Sequence, residues 1–153
     1  MQRNADEHDL HVQFIDRLEE MGRLGWAFRR TGSFSAIWGR RRVGKSRLLI
    51  EWCGKHGGLY TVADQSARPV QRRYLASAVA KRFPDFADVE YPNWRAFFAR
   101  LSTEADRTGW PGPFVIDELP YLIAAERGLP SDLQNWIDQP GRGLGVVVSG
   151  SCQ

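Results

Sequence analysis

Apolar positions recur along this chain with two spacings, and the alternation between them predicts the order of its elements. Short apolar runs bounded by turn formers read as strands: Phe34, Ala36, Ile37 and Trp38 as a buried strand, Gly58 to Ala63 as a second, Phe114 to Ile116 as a third, and Leu144 to Ser149 as a fourth. Between them, apolar residues return at helical spacing. Leu48, Leu49, Trp52 and Cys53 share one helix face until Gly57 ends it. Val70, Tyr74, Leu75, Ala78, Val79 and Phe83 share another, and a further helix starts at Trp94 behind the cap residue Asn93 and runs through Leu101. Ser131 reads as the cap of a short helix, DLQNWID, that stops before Pro140. Pro111 and Pro113 separate the third helix from the Phe114 strand, and Gly141, Gly143 and Gly145 form the loop into the last strand. Strands alternating with helices imply crossover connections and a parallel sheet, an α/β fold. Trp38, Trp52 and Trp94 fall on predicted core faces, so packing accounts for them better than base stacking does.

The junction of the first strand and first helix carries the chemistry. Residues 39–46, GRRRVGKS, place Gly39 and Gly44 where the backbone turns tightly and its N–H groups face a common point at a helix N-terminus. This is a cradle for the phosphates of a nucleotide. The ammonium of Lys45 suits β- and γ-phosphate oxygens, and the Ser46 hydroxyl suits Mg²⁺. The third strand runs apolar into Asp117 and Glu118 at its C-terminal end, where open α/β sheets place their ligands. Asp117 is placed to hold Mg²⁺, directly or through water, opposite Ser46, and Glu118 to polarise an attacking water. The fourth strand ends in hydroxyls, with Ser149 or Ser151 placed to sense the γ-phosphate or that water. The same spacing also fits an ordinary polar turn.

The segments GRRRVGKS at 39–46, VIDEL at 115–119 and VVSGS at 147–151 together resemble the archaeal-type ATPases of the P-loop superfamily, relatives of the AAA-type and signal-transduction NTPases. FIDRLEEMGRL at 14–24 is similar to the opening motif of that family, in which a Phe-x-x-Arg-Glu segment lies against the adenine; here Leu18 follows Arg17 in place of the glutamate. The resemblance implies base contacts by Phe14, Ile15 and Arg17, and phosphate contacts by Gly39, Arg40, Arg41, Arg42, Val43, Gly44, Lys45, Ser46 and Arg47. It implies a three-layer P-loop fold of the additional-strand class, with sheet order 5-1-4-3-2. Residues 1–30 would form an N-terminal segment with the adenine-side motif and residues 31–153 the ATPase core. Proteins of this kind continue with a fifth strand, a helical lid and further regions that meet protein or DNA partners, so the chain reads as a truncated gene product or a fragment of a longer ATPase.

Composition narrows the classes. An apolar share of 42% and a charged share of 25% fit a folded globular domain and argue against a disordered one. No apolar run is long enough for a membrane span, and the acidic N-terminus is unlike a signal peptide. Two cysteines, Cys53 in a helix and Cys152 near the end, do not make a disulfide framework, which points to the cytoplasm. The net charge of +3 is small, but seven basic residues and no acid lie between Arg29 and Arg47. Three roles remain open to Arg40, Arg41 and Arg42: the γ-phosphate, nucleic acid, or solvent. His8 and His11 read as a solvated tail and Asp85, Asp88 and Glu90 as a solvated loop, since neither group has the further ligands a metal needs. The expected function is Mg²⁺-dependent ATP hydrolysis by the full-length form. The alternative is a nucleotide-responsive binding module, DNA-associated or otherwise, with little turnover. A small-molecule kinase uses the same loop, but an activating carboxylate at Glu118 suits water better than a substrate hydroxyl. Oligomeric state is open.

Overall fold

The computed structural model describes residues 31–40 and 44–152. Phe14, Ile15, Arg17, Arg41, Arg42, Val43, His8 and His11 lie outside the described residues. Four strands, β1 (Phe34–Arg40), β2 (Leu59–Val62), β3 (Phe114–Asp117) and β4 (Val146–Cys152), form one parallel sheet in the order β1-β4-β3-β2. The helices are α1 (Lys45–Lys55), α2 (Arg68–Val79), α3 (Trp94–Thr108), α4 (Leu119–Ala125) and α5 (Leu129–Ile137), with a 3₁₀ turn at Pro84–Asp88.

The register divides the apolar residues of the central strands between two faces. Phe114 pairs with Val146, Val115 with Val147 and Ile116 with Val148, so successive pairs point to opposite sides. On one side Val115 and Val147 meet Leu49, Trp52 and Cys53 of α1. On the other, Phe114, Ile116, Val146 and Val148 join the larger core under α2 to α5. Among the described residues three layers result, and α1 is the one helix on its face. All four residues of β3 are buried, as a central parallel strand requires.

The larger core rests on the helical spacing of α3, where Trp94, Phe97, Phe98, Leu101 and Ala105 are all buried. Phe98 stacks on Trp136 of α5 at 4.5 Å, with the rings 5° from parallel. Asn93 caps α3 as expected, its side chain accepting a hydrogen bond from Ala96 N at 2.8 Å. Asn93→Ala leaves that N–H without its partner, and is expected to lower unfolding free energy by about 1 kcal/mol in urea titrations.

Cys53 is buried and free. Burial pushes its thiol up to about 12. A raised folded-state value means the folded chain keeps a proton that the unfolded chain loses above its ordinary value of about 8.5. Stability from this group is therefore complete below that pH and declines as pH rises towards 12. Between pH 8.5 and 10 the wild-type chain should lose about 1 to 2 kcal/mol more than Cys53→Ala does, measured by urea unfolding across that range.

Four expectations need correction. Phe34 and Trp38 are not buried but 40% and 49% exposed, because among the described residues β1 pairs only with β4. Trp38 thus leaves the core face assigned to it and lies over Gly150, where a Cβ would come within 2.7 Å of its ring. The fourth strand is displaced: it starts at Val146 and continues through Gly150 and Ser151, which pair with Trp38 and Gly39. Ser131 does not cap α5, since the helix already begins at Leu129 with Gly128 as cap and Pro130 in its first turn. The second helix ends at Val79, earlier than Phe83, although Phe83 remains buried in the turn that follows. Asp85, Asp88 and Glu90 are exposed, and Glu90 pairs with Arg73 at 3.5 Å.

Candidate functional site

At the C-terminal ends of the strands, polar side chains from four elements converge on the α1 face. The parity of the strands puts them there. Asp117 shares a face with Val115, Ser149 and Ser151 with Val147, and Tyr60 pairs with Val115. Gly44 precedes α1 at φ 76°, a left-handed conformation that favours glycine, and accepts a hydrogen bond from Leu48 N at 2.9 Å. That turn brings Lys45 and Ser46, the first residues of α1, over the end of β3.

Asp117 is the centre of the arrangement. It is fully buried, and each of its oxygens is occupied. Oδ2 accepts from Ser46 Oγ at 2.5 Å and from the Tyr60 hydroxyl at 2.5 Å. Oδ1 accepts from Ser149 Oγ and from Glu118 N at 3.0 Å, and Lys45 Nζ lies 3.9 Å away. Burial disfavours the charge, yet the hydrogen bonds from Ser149, Ser46 and Tyr60 and the nearby Lys45 ammonium outweigh it. The carboxyl is therefore held below its ordinary value and ionised at neutral pH. The Tyr60 phenol moves the other way, raised by burial and by its hydrogen bond to the charged Asp117.

Lys45 and Glu118 form the second part. Lys45, 7% exposed, reaches Ser151 Oγ at 2.9 Å and Glu118 Oε1 at 3.3 Å. Ser151 in turn donates to the same Glu118 oxygen at 2.8 Å. Glu118 caps α4 at φ 59° and ψ 41°, a left-handed conformation that costs a non-glycine residue about 1 to 2 kcal/mol. It is the only such non-glycine among the described residues. The turn lets Asp117 face inward while Glu118, one residue on, stays 21% exposed.

The structure thus brings together Lys45, Ser46, Asp117, Glu118 and Ser149 from segments far apart in the chain. Gly39 sits on β1 opposite Ser151, and Arg47 is exposed on α1. Ser149 and Ser151 are separated in what they touch: the first bonds Asp117, the second Glu118 and Lys45. Tyr60 was not legible as part of the site. Its strand was predicted, but its place beside Asp117 depends on a β2–β3 register that no local signal in the sequence carries.

No protein-family model matches the chain, and no curated protein matches it. Among solved structures the chain shares its fold with a Walker-type ATPase. The chain is similar to the Walker-type ATPase PABY2304 of Pyrococcus abyssi, with a TM-score of 0.68 and 21% sequence identity. The match covers 88% of this chain and 44% of that one, so the chain spans less than half the length of its structural neighbour. Among the described residues no helix is long and apolar enough to cross a membrane.

Proposed function

We propose that this chain binds ATP with Mg²⁺ and that the protein to which the site belongs hydrolyses it. The observation that carries the reading is the bond of 2.5 Å between Ser46 Oγ and Asp117 Oδ2, which joins the first turn of α1 to the end of β3 across 71 residues, with Lys45 beside it. The fold of a Walker-type ATPase adds support. The strand order β1-β4-β3-β2 agrees with the additional-strand class of P-loop NTPases.

The donor set fits magnesium. Ser46 offers a hydroxyl and Asp117 an ionised carboxylate that meets the ion directly or through water, both hard oxygens, and among the described residues no group of three His, Cys, Asp or Glu side chains forms a closed cage. Magnesium is held in this way, by one or two carboxylates with phosphate oxygens and water filling the remaining positions. When bound, it neutralises phosphate charge. Lys45 and the N-terminus of α1 supply positive charge to the transferring phosphoryl group. Glu118 orients and deprotonates the attacking water, and on this reading Arg40, Arg41, Arg42 and Arg47 are the candidates for further phosphate contacts.

A second reading has its own support. Glu118 Oε1 accepts from both Lys45 and Ser151, and this ion pair makes the carboxylate a weaker base towards a water at Oε2. A nucleotide-binding module with slow turnover has this property. Phosphate release from ATP by the purified chain, with Mg²⁺ and with excess chelator, separates the two. Release that requires Mg²⁺ supports the hydrolase; saturable binding of MgATP without release supports the module, and neither binding nor release contradicts both.

A further inference from the structure

We infer that Tyr60 and Ser149 act as a pair of positioning residues that clamp the Asp117 carboxylate for the metal, an assignment that rests on the Mg²⁺-nucleotide reading above. β3 lies between β2 and β4, and each neighbour contributes one hydroxyl to the same carboxylate. Tyr60 from β2 donates to Oδ2 at 2.5 Å, and Ser149 from β4 donates to Oδ1. Both donors stand on strands locked to β3: Leu59 to Val62 pair with Phe114 to Asp117, and Val146 to Val148 with Phe114 to Ile116. Rotation of the carboxylate about its Cβ–Cγ bond would break both bonds at once.

The remaining contact on Oδ2 comes from Ser46, and its direction matters. A serine hydroxyl that donates its proton to a carboxylate keeps its oxygen lone pairs free for a cation. With Tyr60 fixing the acceptor, Ser46 Oγ is oriented as a ligand before any cation arrives. Outer-shell partners of this kind typically change metal affinity by 10- to 100-fold when removed. Ser149, fully buried against Asp117, is on this reading a clamp on the metal ligand, while Ser151 is the serine that faces Lys45 and Glu118.

The test is the Mg²⁺ dependence of ATP binding, titrated by calorimetry at fixed ATP, for wild type, Tyr60→Phe, Ser149→Ala and Thr61→Val. Thr61 is a control on the same strand: its hydroxyl bonds Val115 O at 2.7 Å and does not touch Asp117. Tyr60→Phe and Ser149→Ala are each expected to raise the half-saturating Mg²⁺ concentration about tenfold. Binding measured in chelator is the reference against which each midpoint is read, and Thr61→Val should leave the Mg²⁺ midpoint at the wild-type value. An unchanged or lower midpoint in either clamp variant, with its fold intact by circular dichroism, overturns the clamp. An equal shift in Thr61→Val also overturns it, because general loosening of β2 would then explain the effect. If one clamp variant does not fold, the other decides alone. A wild-type chain that binds ATP with no Mg²⁺ dependence overturns the metal reading itself, and the clamp with it.

Discussion

Glu118→Gln is expected to keep MgATP bound and to lose its hydrolysis. Glutamine preserves the size of the side chain and can still accept a hydrogen bond from Ser151, so the αL turn at Glu118 and the start of α4 should survive. It cannot take a proton. General-base contributions of about 10²- to 10⁴-fold set the scale, and phosphate release should fall at least about a hundredfold with the affinity for MgATP changed by less than about threefold. Single-turnover phosphate release beside equilibrium binding gives both quantities. Equal turnover in the variant and wild type would remove Glu118 from the chemistry.

Lys45→Ala is expected to have the second large effect, on binding itself. The ammonium is buried between Ser151, Glu118 and Asp117, where water screens it poorly, and charge-assisted hydrogen bonds to phosphate are worth about 1.5 to 3 kcal/mol. Loss of about a hundredfold in MgATP affinity follows. The structure also limits the damage to folding. Without Lys45, Asp117 still has Ser46, Tyr60, Ser149 and Glu118 N as donors, so its charge remains satisfied. Lys45→Met, which restores most of the buried volume, should fold as the wild type does and bind as poorly as the alanine variant. Retention of wild-type affinity by both would place the phosphates elsewhere.

Much of the site was legible because its parts are local. Gly44, Lys45 and Ser46 are adjacent in sequence and in space, and the apolar run Phe114 to Ile116 delivers Asp117 and Glu118 wherever that strand lies. The α1 face of Leu48, Leu49, Trp52 and Cys53 was readable for the same reason, since helical spacing is set by the helix itself. What depends on neighbours was not readable. The exposure of Phe34 and Trp38 follows from the place of β1 in the strand order. Gly150 and Ser151 look like turn formers, but the Trp38 ring requires the missing Cβ at Gly150 and the strand runs on. α4 was not foreseen, because seven residues with a proline in the first turn give little periodicity. Tyr60 belongs to this class: its strand was visible, its partner was not.

The most direct test of the account is a calorimetric titration of the purified chain with ATP in Mg²⁺, run beside Lys45→Met. Saturable binding by the wild type at a single site, weakened about a hundredfold in the variant, is the result expected from the geometry around Lys45, Ser46 and Asp117. A folded wild-type chain that takes up no MgATP, or one that binds it as well without Lys45, would contradict the assignment of this site to a nucleotide.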